Sequence, residues 1–102
     1  MVIAPSEDSF VKGIVTITMT HVPDGTKMVA FAIQGSGIED IAKTGPNLGK
    51  DNDGSDGWSL YLDTTRYPNG VYDIISYASH LTELQEDVPP LGFASAQIVI
   101  QN

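Results

Sequence analysis

The chain predicts an all-β domain built as an antiparallel β-sandwich of about seven short strands, and three observations carry that prediction. In the stretch from Gly57 to Ser79 two alternating apolar runs, Trp58-Leu60-Leu62 and Tyr72-Ile74-Ser76-Ala78, flank a Pro-Asn-Gly turn, so every second side chain can face a core. Turn formers recur between short apolar runs along the whole sequence. No segment carries a convincing amphipathic helical period.

Taken in order, Val2-Ile3-Ala4 is a short apolar start that stops at Pro5, and Pro5 to Ser9 reads as a break, which suits a split edge strand. After Gly13, the residues Val15, Ile17 and Met19 share one face while Thr16, Thr18 and Thr20 share the other, as a sheet with one wet side requires. Pro23-Asp24-Gly25-Thr26 forms a turn. Beyond it Val29, Phe31 and Ile33 alternate with Met28, Ala30 and Ala32, so both faces are apolar and the strand is expected to be central. From Gly35 to Gly57 periodicity is mostly lost and turn formers dominate; only Ile38 to Ala42 offers a short edge strand or helical turn. Trp58 to Asp63 is the next strand. The Asn69-Gly70 pair would suit a tight hairpin, but Thr64 to Tyr67 lengthens the connection and favours a crossing between sheets. Val71 to Ser79 follows, Leu81 to Gly92 with Pro89-Pro90 reads as an exposed loop, and Ala94 to Gln101 closes the chain.

The 102 residues suit one domain, 1–102, with a single core. The core set is Val15, Ile17, Met19, Val29, Phe31, Ile33, Trp58, Leu60, Leu62, Tyr72, Ile74, Ala78, Ile98 and Ile100. No apolar run approaches the roughly 18 residues of a membrane span, and the first residues lack the basic and apolar regions of a secretory signal. With no cysteine, disulfides, thiol nucleophiles and thiolate metal sites are excluded. Thirteen acidic residues against five basic ones leave a formal charge of −8, which disfavours nucleic acid and anionic membrane surfaces as partners.

An Ig-like sandwich is the natural candidate for this pattern. The runs from Ile3 to Met19, Met28 to Gly35, Gly57 to Ser79 and Ala96 to Asn102 resemble a bacterial Ig-like module of the kind repeated in exported multidomain proteins. The most specific element of the resemblance is Leu62-Asp63-Thr64, then Tyr67-Pro68-Asn69-Gly70, then the run from Tyr72 to Ala78. The resemblance implies a noncatalytic spacer, stabilising or surface-binding role outside the cell or at its surface, beside neighbouring domains of the same polypeptide. The Tyr72 hydroxyl resembles the donor of a tyrosine corner.

Candidate sites are few. Asp51, Asp53, Ser55 and Asp56, in a glycine-containing loop, place oxygens at spacings that suit calcium, with a solvated Asp/Gly turn as the plain alternative. The match to an EF-hand loop fails where Asp56 stands in place of the glycine and Leu62 in place of the glutamate. Tyr61 and Tyr77 point away from the proposed core faces and offer flat rings to a glycan, or to an adjacent domain. His21 and His80, with Asp24 or Asp73, make no metal-binding or acid/base spacing, and no serine sits in a nucleophile elbow. Neither catalytic residues nor a cofactor are therefore expected, calcium apart.

Overall fold

The computed structural model describes residues 2–35, 48–54, 57–82 and 89–102. Eight strands lie among them: β1 (Val2–Ala4), β2 (Ser9–Val11), β3 (Ile14–Thr20), β4 (Met28–Gly35), β5 (Gly49–Asp51), β6 (Trp58–Asp63), β7 (Gly70–Ser79) and β8 (Gly92–Ile100). They form two sheets, one in the order β1-β3-β6 and the other in the order β2-β8-β7-β4-β5. The all-β prediction holds, and the arrangement is compatible with a β-sandwich.

The break read at Pro5 is where the first strand divides. Val2 to Ala4 pair antiparallel with Thr18 to Thr20 in the smaller sheet. Past the cis Ala4-Pro5 bond and Asp8, whose φ is +64°, Ser9 to Val11 join the edge of the larger sheet, where they run parallel to Ile98 to Ile100. The expectation of a purely antiparallel sandwich is corrected on this point: the larger sheet is mixed, because the displaced half of the first strand meets the last strand running in the same direction.

Side-chain alternation decides which face each strand buries. Ile17, Met19 and Leu62 from the smaller sheet meet Phe31, Ile33, Tyr72, Ile74, Ile98 and Ile100 from the larger one in a shared cluster. A Ser76 hydroxyl set 3.5 Å from the Met19 sulfur links the two layers within it. Of the expected core, Val15, Trp58 and Leu60 are only partly buried and pack on its margin, Trp58 and Leu60 on the edge strand β6 and Val15 near the start of β3. Ile3, Val11 and Ala96 join the core instead. Strand β4 is interior to its sheet, between β7 and β5, and Met28, Ala30 and Ala32 on its second face are buried too, as two apolar faces require.

Within the stretch from Gly35 to Gly57, Gly49 to Asp51 form an edge strand against Val29 to Phe31. Sequence alternation gave no sign of it, because Gly49-Lys50-Asp51 contributes backbone pairing and no apolar face. Ile38 to Ala42 lie outside the described residues. The connection from β6 to β7 does cross between the sheets, through a 3-10 turn at Thr64–Arg66.

Side-chain bonds set one end of the fold. There the Tyr72 ring, 1% exposed, lies over Gly35, where a Cβ would come within 2.4 Å of its Cδ1. Its hydroxyl donates to the Pro68 carbonyl at 2.7 Å, a tyrosine corner in geometry. Close by, the Asn102 amide Nδ2 donates to the Thr64 carbonyl (2.8 Å), while its Oδ1 accepts from Gly13 N (3.2 Å). The buried Thr64 hydroxyl donates to the Gly13 carbonyl at 2.7 Å, with Asn102 Oδ1 at 3.1 Å. The last residue is thereby tied to the β2–β3 bend and to the turn after β6.

Candidate functional site

The two sheets leave a lateral opening between the edge strands β5 and β6. At the Trp58 end Asp51 closes it: one carboxylate oxygen accepts from Ser59 N on β6 (3.0 Å), the other from Asp53 N (2.9 Å). Trp58 packs over the same loop, where a Cβ on Gly54 would fall 2.4 Å from its Cζ2. Further along, the opening widens into a groove of about 280 Å³ lined by Leu48, Tyr61, Leu62, Asp63, Arg66 and Tyr67.

Local structure positions these side chains. Alternation on β6 turns Leu62 into the core and leaves Tyr61 77% exposed. Asp63 caps the 3-10 turn, accepting from the backbone and hydroxyl of Thr65. Those Thr65 bonds, the hydroxyl's first, hold its carboxyl below the ordinary aspartate range, with help from Arg66. The Arg66 guanidinium stays 3.9 Å from Asp63, with 83% of its side chain exposed. Tyr67 leans its ring edge-on to Tyr72 at 5.9 Å. Burial raises the Tyr67 phenol's pKa above the ordinary tyrosine value.

Chemically, the groove offers aromatic surface, one arginine and a carboxylate already engaged with its turn. That set can bind, and among the described residues lining the groove no acid and base are paired to move a proton.

The proposed metal ligands are only partly placed. Asp51 and Asp53 share the brace at the end of β5, whereas Ser55 and Asp56 lie outside the described residues. Among the described residues no three His, Cys, Asp or Glu side chains cluster around a common point. Asp51 already uses both oxygens on backbone N–H groups, although a carboxylate retains further lone pairs. His21, at a φ of +57°, and His80 are exposed just past the ends of β3 and β7, while Asp24 and Asp73 are exposed elsewhere.

The two proposed aromatic ligands are not brought together. Tyr61 stands on the outer face of the smaller sheet and Tyr77 on the outer face of the larger one, so one sugar chain lying on one face cannot reach both. Tyr77 is half-buried and pairs with Phe93 (ring centres 6.5 Å apart), its cross-strand neighbour. Tyr67 lines the same groove as Tyr61. Phe93 was missed as a surface aromatic because its place beside Tyr77 depends on cross-strand register. No family model, curated protein or solved structure matches the chain significantly.

Proposed function

We propose that the chain is a noncatalytic structural or interaction module, an Ig-like β-sandwich serving as a spacer or accessory domain of an exported or cell-surface bacterial protein. The observation that carries this reading is the placement of its two ends. Val2 pairs with Thr20 at one end of β3, while Asn102 bonds to Gly13 at the other. The six residue steps of β3 separate them by roughly 20 Å, so copies or neighbours joined in series extend along the strands instead of folding back. The strand orders, with the first strand split between sheets, also suit an Ig-like sandwich.

A directly joined tandem of two copies tests this by small-angle scattering. The reading expects a maximum dimension about twice that of one copy, and a side-by-side particle no longer than one copy rejects it.

A ligand-binding role is the second reading, favoured by the groove beside Tyr61. Tyr61 and Tyr67 would offer ring faces to a glycan, with Arg66 and Asp63 at the rim. Retention on immobilised polysaccharide that is lost in Tyr61→Ala, with unfolding unchanged, supports it; no retention removes it. Calcium at Asp51, Asp53, Ser55 and Asp56 remains the metal version of this reading, and preferential binding to the folded chain would raise its Tm.

A further inference from the structure

The side chains that line the groove beside Tyr61 leave donors unused. Arg66 reaches Asp63 only through Nε at 3.9 Å, beyond hydrogen-bond distance, and makes no hydrogen bond among the described residues. The Tyr67 hydroxyl likewise has no partner among them. Burial raises the Tyr67 pKa while the Arg66 guanidinium pulls it the other way, which sets the two groups side by side. The one carboxylate in the lining, Asp63, already takes the backbone N–H and the hydroxyl of Thr65 on its Oδ1. A guanidinium can only donate, and a phenol can do so, so the groove is short of an acceptor.

Resting on the glycan reading of this groove, we propose that its ligand is a glycan that ends in an acidic sugar: the Tyr61 ring takes the face of the pyranose, and Arg66 with the Tyr67 hydroxyl takes its carboxylate. The volume of about 280 Å³ lies at the lower end of small-ligand sites, about 300 Å³, and suits a terminal sugar better than an extended run.

Charge sets how many carboxylates the ligand carries. One arginine matches one acid, and a repeating polyuronate would meet the formal charge of −8 along the rest of its length. A single acid on an otherwise neutral chain escapes that repulsion. Asp63 opposes the pair, since it lies on the Nε side of the guanidinium. A carboxylate at the Nη edge stands nearer to the arginine than to Asp63, so attraction exceeds repulsion. The margin is that of a solvent-exposed ion pair, about threefold to fivefold in affinity.

Titration of the 15N-labelled chain, followed by amide chemical shifts, tests the proposal with two probes: a disaccharide ending in glucuronate and the same disaccharide ending in glucose. The glucuronate form is expected to bind about threefold to fivefold more tightly, with shifts at Tyr61, Arg66 and Tyr67. Arg66→Gln is expected to make the two sugars equal while leaving the urea midpoint in place. Asp63→Asn keeps an N-capping side chain and removes the opposing charge, and is expected to widen the advantage of the acid. These opposite responses separate an ion pair from a change of shape. Equal binding of both sugars to the wild-type chain overturns the acidic ligand and leaves the glycan reading standing; no binding of either at about 10 mM, where even a weak site fills, overturns both. An advantage indifferent to Arg66→Gln overturns the proposal too. So does an acidic peptide that binds as tightly as the glucuronate form, since the groove would then read the carboxylate without the sugar.

Discussion

Replacing Tyr72 by phenylalanine removes one oxygen from the bend between β6 and β7 and leaves the ring where it is. That ring is 1% exposed, sits over Gly35 and meets Tyr67 edge-on, so its apolar packing survives the change. What is lost is the 2.7 Å bond to the Pro68 carbonyl. Pro68 is exposed, so water can take the place of the hydroxyl, and the cost is the net worth of one neutral hydrogen bond, about 1 kcal/mol. In a chain of 102 residues that lowers Tm by roughly 4–8 °C. Urea unfolding followed through Trp58, the sole tryptophan, should show the midpoint falling by about 0.3–1 M with the slope unchanged. Tyr61→Phe, on an exposed ring, is the control and should leave the midpoint in place. An unchanged midpoint for Tyr72→Phe would refute the reasoning, because the corner would then be a contact without consequence. A loss of about 3 kcal/mol or more, the scale of a core truncation, would refute it from the other side.

Asn102→Ala removes the amide that links the last residue to Gly13 and Thr64, and is expected to destabilise by about 1–2 kcal/mol in the same urea assay. Asp51→Ala is expected to cost a comparable amount with chelator present, since its carboxylate holds Ser59 N and Asp53 N without any metal. A calcium test is therefore read from the wild-type Tm with chelator, calcium and magnesium, and a calcium-specific rise is the outcome that supports a site. Burial raises the Tyr67 pKa above 10.0; a group held protonated in the fold contributes stability that is complete below its unfolded pKa and is lost as pH rises through the folded one. Stability should thus fall above about pH 10, and Tyr67→Phe should flatten that fall in urea midpoints measured across the range.

Where the sequence was legible, the reason was alternation under a one-sided burial constraint. Ile17 and Met19 on β3, and Tyr72, Ile74 and Ala78 on β7, bury as their period of two requires, because a shift of one residue would expose all of them. Pro5 marked the split of the first strand for an equally local reason. Two features escaped. Strand β5 has no apolar face of its own and exists because β4 offers it an edge. The groove brings Leu48, Tyr61 and Tyr67 together from separate segments, and such proximity is a property of sheet order, which periodicity does not encode. The two glycan candidates stand on different sheets for the same reason: faces of strands placed Tyr61 and Tyr77 outward, but alternation does not say which sheet each strand joins.

The acidic loop shows how one residue can answer to two descriptions. Read along the chain, Asp51 is the first of a run of oxygen donors. Read across the fold, it stands on the edge of the larger sheet beside the edge of the smaller, and its two oxygens take Ser59 N across the gap and Asp53 N in its own loop. The second role needs no cation, explains why Trp58 can cover Gly54 at the closed end, and sets where the lateral opening begins. It also occupies the Ser59 backbone donor on the outer edge of β6. Closure at the Trp58 end is thus held by one carboxylate, and a substitution there should loosen the contact of β5 with β6 as well as the loop.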